Sequence, residues 1–180
     1  QSIMKNVVGE AAGEPRYGIL IPGFPDAAGP DLLKKYQGFD AAAAKQLMAD
    51  AGFADGAGFP KLELALRSES EIGQAAAAAV AQSLKKHINV DVTINNMDGK
   101  SYMAELNGHN LTFAMVSYGF DYVDASNFMG VFKTDGRHNW NNAEFENLRI
   151  EAGVMPLSPE RSAKMIKLQE ILSEDVGSVF

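Results

Sequence analysis

The sequence predicts an α/β protein, and three observations carry that expectation. Apolar runs at 62–66, 88–94 and 111–117 are separated by stretches with helical spacing at 71–87 and 99–106. Strands alternating with helices in this order need crossover connections and form an α/β layer. The composition agrees: 46% apolar and 22% charged residues over 180 positions suit one globular domain, or one with a small addition. A chain of this size buries roughly 70% of its unfolded surface without a disulfide or metal staple.

Taken in order, residues 1–38 form an irregular lead-in. Pro15, Pro22, Pro25 and Pro30, with Gly9, Gly13, Gly18, Gly23 and Gly29, punctuate it too often for a long element. The α/β body, 39–180, opens with a helix capped by Asp40, on which Ala43, Ala44, Leu47, Met48 and Ala51 recur at helical spacing. Gly52 ends it in the left-handed conformation, and Phe53 folds back on Met48 in a Schellman ending. Leu62, Leu64 and Leu66 alternate with Lys61, Glu63 and Ala65, a strand with one buried face. Ser68 and Glu71 read as a capping box. The helix that follows carries Ile72, Ala75, Ala76, Ala79, Val80, Ser83 and Leu84 on one face, with Lys85, Lys86 and His87 at the carboxyl end where cations suit the dipole. Ile88, Val90, Val92 and Ile94 alternate as a second strand. Asp98 caps a short helix to Leu106. The run 111–117 is apolar on both faces, as a central strand requires. Residues 118–140 read as loop. Helices are expected at 143–152 and 159–173, the second with Ser158 as cap and Pro159 at its first position. Val176 to Phe180 reads as the start of a strand.

Charge and composition exclude several function classes. Lys and Arg number 16 against 23 Asp and Glu, a net charge of −7, with no basic stripe to draw nucleic acid. The absence of cysteine excludes a disulfide framework, thiolate metal sites and a Cys nucleophile, and it fits an oxidising compartment. No apolar run reaches the ~20 residues of a membrane span, and residues 1–5 lack a charged-then-apolar signal pattern. His87, His109 and His138 are scattered without ligand spacing, so no metal site and no cofactor is expected. Gly56-Ala57-Gly58 follows a helix and precedes a strand, the wrong order for a phosphate cradle, and reads as a turn.

The segment 116–124 stands apart. It leaves the carboxyl end of the expected central strand, the place where open α/β sheets collect ligands. Tyr118, Phe120 and Tyr122 offer rigid apolar area with polar tips, and Asp121 places one negative charge among them. Such a carboxylate holds an ammonium group through charge-assisted hydrogen bonds. The same residues also suit a plainer role, with Asp121 capping a turn and the aromatics filling core. A third alternative makes Asp121 and Asp124 the acidic pair of a stand-alone α/β hydrolase-like or interaction domain.

Several blocks, in order, resemble one family. Residues 36–53, with Tyr36, Asp40, Lys45, Leu47 and Ala51-Gly52-Phe53, are similar to its "AK-x-LL-x-EAGF" helix. Gln82, Leu84, Lys85, Ile88 and Val90 resemble its "Q-x-L-K-x-x-G-I-x-V" helix and strand, with His87 in place of Gly. Residues 117–128 are similar to "G-W-x-x-D-Y-x-D-P-x-N-F", with Tyr118 for Trp and Ala125 for Pro. Residues 139–148 and 169–175 resemble its last two helical blocks. The family is the family 5 bacterial extracellular solute-binding proteins, the peptide- and nickel-type receptors of ABC importers. The resemblance implies a periplasmic-binding-protein-like lobe, a mixed sheet flanked by helices, and a fragment of a two-lobed fold that lacks its first lobe. It implies a non-enzymatic receptor, extracytoplasmic in the periplasm or lipid-anchored, that captures a peptide or similar solute and delivers it to a membrane permease. By the same resemblance Asp121 pairs with the ligand's amino group, and backbone groups of Ser117 and Gly119 bond an extended peptide. Tyr118 borders a side-chain pocket, with Tyr122 beside it. Arg67 is a candidate for a ligand carboxylate.

Overall fold

Strand β1 (Leu62–Arg67) and strand β2 (Val92–Met97) pair in parallel, with Leu64 opposite Ile94 and Ala65 opposite Asn95. Helix α3 (Glu71–Ile88) makes the crossover between them. In the computed structural model, residues 17–29 and 31–180 are described. They fall into two units, one of residues 39–117 and one of residues 17–38 with 118–180. Much of the proline- and glycine-rich lead-in, Pro15 and Pro30 included, lies outside the described residues.

In the first unit, β1 is covered on both faces. Leu64 and Leu66 turn toward α3 and pack with Ala77 and Val80. Ala65 points the other way and packs with Tyr102 and Leu106 of helix α4 (Gly99–Asn107). A strand's side chains alternate between faces, so one six-residue strand serves two helix layers. The expectation of one buried face is corrected here: Ala65 is 1% exposed, as buried as the leucines beside it. The central position also belongs to β1 rather than to residues 111–117. That run contributes a single parallel bridge, Ala65 to Ala114, closed by Ala65 N–H to Phe113 O at 3.0 Å and Met115 N–H to Ala65 O at 2.9 Å. Its apolar side chains pack on two separate clusters, which suffices to bury them without a full ladder.

Helix ends follow local chemistry. Helix α2 (Ala41–Asp50) starts where the Asp40 carboxylate accepts from the N–H groups of Ala42 and Ala43. It ends in a Schellman motif, with Phe53 N–H to Met48 O at 2.8 Å, Gly52 N–H to Ala49 O at 2.9 Å and Gly52 at φ +88°. Asp98 caps α4 through Lys100 and Ser101. For α3 the cap is Ser70, which accepts from Gly73 N–H, and not Ser68. Ser68 is held by its own N–H to Met97 O, which extends the β1–β2 pairing by one bond. The buried stripe of α3 also sits differently from the expected one. Ala77 is fully buried while Ile72 is 57% exposed, because a run of alanines satisfies several helical faces equally. Ile88 is the last helical residue. Asn89, at φ +55°, turns the chain so that β2 begins only at Val92.

The second unit is built on helix α6 (Ala143–Gly153) and helix α7 (Pro159–Glu174), capped by Asn142 and Ser158. Their core includes Phe145, Ala152, Met165, Leu168 and Leu172, joined by Leu20 and Phe24 from the segment before the short helix α1 (Lys34–Gln37). The stretch 118–140 is not all loop: helix α5 (Ala125–Met129) and a 3-10 turn, Gly130–Phe132, lie inside it and bury Phe128, Met129 and Phe132. Residues 176–180 do not form a strand. Val176 takes φ +52°, and Gly177 N–H returns to Leu172 O. The Gln37 side chain then binds Ser178 O and Phe180 N–H.

Candidate functional site

The second unit carries most of the candidate residues. Phe128 of α5, 4% exposed, is the floor on which they rest. Tyr118 meets its ring edge-on at 5.7 Å, and Phe24 at 5.2 Å. Phe120 packs on Phe24 at 5.3 Å. Edge-to-face aromatic pairs of this kind hold rings rigidly. The outer members nonetheless stay open, with Tyr118 37%, Phe120 45% and Tyr122 54% exposed. A core-filling role does not account for that exposure.

Asp121 is exposed among these rings. Its Oδ2 accepts from the Tyr118 hydroxyl at 3.1 Å and from the Asn127 amide at 3.4 Å, while its own N–H donates to Asn127 Oδ1 at 3.2 Å. Among the described residues, no lysine or arginine lies within ion-pair distance of it, and Oδ1 carries no hydrogen bond. The Tyr118 phenol is pushed above its usual pKa, first by burial, then by the hydrogen bond to Asp121 and that carboxylate's charge, with the Arg137 guanidinium opposing. The hydroxyl therefore stays protonated and donating at neutral pH.

Asp124 has a different environment. Its Oδ1 caps α5 by accepting from Ser126 N–H at 2.8 Å and meets Nη2 of Arg161 at 2.6 Å. Burial pushes its carboxyl up, but the bonds from Ser126 and Arg161 outweigh burial and hold it below the usual carboxylate range. Arg161 is 4% exposed and also binds Asp26 at 3.1 Å and Ala152 O at 3.1 Å. Asp124 is thus an ionised cap engaged by a buried cation.

Ser117 is exposed and closes the first unit. Among the described residues, the backbone groups of Ser117 and Gly119 make no hydrogen bond within the chain. Among the described residues, a methyl group at Gly119 would meet no atom within 4 Å. Arg67, also in the first unit, is half-exposed and leans on Glu69 at 3.6 Å, beside Gly99. Glu69 in turn accepts from Gly99 N–H at 3.0 Å. A cavity of about 260 Å³ lined by Tyr17, Leu20, Leu33 and Gln169 includes none of the candidate residues. The Gln169 amide that faces it is already bonded to Ala28, Asp26 and Met165. No cluster of metal-type ligands occurs among the described residues, and no helix among them is long and apolar enough to cross a membrane.

Asn127 and Arg161, the partners of Asp121 and Asp124, were not singled out as candidates by residue chemistry. Asn127 sits within the block that ends at Phe128, but its amide reads from the sequence only as a polar residue in a loop. Arg161, 37 positions beyond Asp124, carries no local signal at all.

Residues 1–140 match the family model for bacterial extracellular solute-binding proteins, family 5 Middle. The chain belongs to this family. The family 5 chain is 26% identical over 147 residues to the probable deoxycholate-binding periplasmic protein YgiS of Escherichia coli (strain K12), covering 80% of this chain and 27% of that protein. It is 27% identical over 170 residues to the dipeptide-binding protein DppE of Bacillus subtilis (strain 168), covering 88% of this chain and 30% of that protein. Among solved structures, the unliganded open form of the periplasmic murein tripeptide-binding protein MppA matches with a TM-score of 0.84 at 25% identity, over 98% of this chain and 35% of that one. The chain therefore spans under a third of the length of these curated relatives, and the α/β lobe is a fold it shares with periplasmic binding proteins.

Proposed function

We propose that this chain is one lobe of an extracytoplasmic solute receptor of an ABC importer, and that its open face takes a small peptide or similar solute by the ammonium group. The observation that carries this reading is Asp121: an exposed carboxylate with one free oxygen, bonded to the Tyr118 hydroxyl and flanked in sequence by exposed Phe120 and Tyr122, with no cation of the described chain engaged on it. An ammonium donates to the free Oδ1, a charge-assisted bond that strengthens once the closed receptor excludes water. The unpaired backbone of Ser117 and Gly119 supports an extended peptide laid alongside as an added strand. Tyr118 and Tyr122 border the ligand's first side chains, and Arg67, in the first unit, is a candidate for a ligand carboxylate. DppE is a dipeptide-binding protein and MppA a murein tripeptide-binding protein, whereas YgiS is a probable deoxycholate-binding protein. An acidic anchor with no lysine or arginine in ion-pair distance among the described residues favours a peptide.

The alternative of a hydrolase using Asp121 and Asp124 has little support. Asp124 is held ionised by Arg161 and Ser126, so it does not supply the protonated partner that a paired-carboxylate mechanism needs. Delivery of the ligand to a membrane permease belongs to this proposal. Capture at micromolar concentration needs about −8 kcal/mol. In the complete receptor, Asp121→Ala is expected to weaken binding of a free-amine tripeptide at least tenfold by calorimetry. Unchanged affinity removes Asp121 from the site.

A further inference from the structure

We propose that Asn127 is the positioning residue of this site, clamping Asp121 by backbone and side chain together so that the carboxylate presents Oδ1 outward; this rests on the reading of Asp121 as the ammonium anchor. Asn127 is 6% exposed although it is a polar residue, and both ends of its amide go to Asp121. Oδ1 accepts from the Asp121 N–H at 3.2 Å, and Nδ2 donates to Asp121 Oδ2 at 3.4 Å. A buried amide is costly unless satisfied, and here the satisfaction comes from the one residue whose orientation the site depends on. The Tyr118 hydroxyl donates to the same Oδ2 at 3.1 Å. Both donors thus load one oxygen and leave the other for a ligand.

The clamp has its own foundation. Asn127 N–H donates to Asp124 O at 3.0 Å, and the Asp124 side chain caps the same short helix at Ser126. Arg161 fixes Asp124 from below at 2.6 Å. A five-residue helix has little intrinsic stability, so its orientation depends on this buried ion pair and on Phe128 and Met129 in the core. The line Arg161, Asp124, Asn127, Asp121 therefore connects a buried cation in α7 to an exposed anion.

The test separates the clamp from the binding reading. In the 180-residue chain, amide hydrogen exchange read by NMR should show Asp121 N–H losing at least tenfold protection in Asn127→Ala. In the complete receptor, calorimetry should show Asn127→Ala weakening a free-amine tripeptide at least fivefold and leaving its N-acetylated counterpart within twofold. A merely structural role lowers both alike. Wild-type protection at Asp121 in Asn127→Ala overturns the clamp, and equal weakening of the two peptides overturns the positioning role. If wild-type receptor does not distinguish the two peptides, the ammonium-anchor reading fails, and the positioning role falls with it. The exchange data still report on the clamp independently.

Discussion

At the scale of single residues, burial separates the acids of this chain into two kinds. Asp124 and Asp26 are bound to a guanidinium that is 4% exposed, whereas Asp121 meets only neutral donors among the described residues. Removing one partner of a buried ion pair leaves uncompensated charge and costs about 3–5 kcal/mol. Arg161→Met is accordingly expected to lower the unfolding free energy of the chain in urea by about 3 kcal/mol, the lower end because Asp124 keeps some solvent. A loss below about 1 kcal/mol would show that the two carboxylates rehydrate freely. His138 supplies a second residue-scale expectation. Burial, then the neighbouring Arg137 charge, pushes its imidazole below the ordinary value, and its buried Nδ1 has no partner among the described residues. The unfolded chain thus binds the proton more readily than the folded one. Stability is complete above about pH 6.5, the unfolded value, and falls as pH drops from there toward the lower folded value. The melting temperature should decline between pH 7.5 and 5.5. In His138→Phe, which keeps a ring against Phe132, that part of the decline should vanish; an unchanged decline assigns it to other groups.

At the scale of elements, capping was legible from the sequence at α2, α4 and α7 but not at α3, where Ser70 takes the place expected of Ser68, and strand pairing was not legible. Asp40, Asp98 and Ser158 each cap the helix that their side chains announce, because the bond closes within three residues of sequence. The Schellman ending at Gly52 is equally local. Pairing depends on residues far apart: 111–117 looks like a central strand, yet β1 takes that place because its neighbours lie on both sides. The turn at Gly56 shows why local legibility has a limit. Its composition announced a turn, but only the folded unit shows its φ of +75° and the carbonyl of Asn89, which a β-carbon would approach to 2.6 Å. Gly56→Ala therefore combines left-handed strain with a backbone clash and should cost about 1–3 kcal/mol. Thermal unfolding within 1 °C of wild type would mean that the turn relaxes freely.

At the scale of the whole molecule, the composition pointed to an acidic globular chain and excluded cysteine chemistry, and the ordered motif blocks pointed to the family that residues 1–140 match. The spans of 27% and 30% of the curated relatives carry the proposal that one lobe supplies only part of a binding cleft. A peptide held on one face leaves the other in water, so desolvation is incomplete and the ion pair stays weak. The 180-residue chain alone is expected to bind a free-amine tripeptide at least a hundredfold more weakly than the complete receptor, by NMR titration against calorimetry. Equal affinity contradicts the two-lobe account.

What the sequence determined by itself was the class of fold, the helix caps at Asp40, Asp98 and Ser158, and the chemical kind of the exposed segment, since each rests on residue identity and short-range spacing. Tertiary structure decided which acid is engaged and which is open. Asp121 and Asp124 are three positions apart and chemically alike, and only the arrival of Arg161 from α7 and of Asn127 from α5 distinguishes them. Electrostatic environment is set by distance in space, and no pattern along the chain records it.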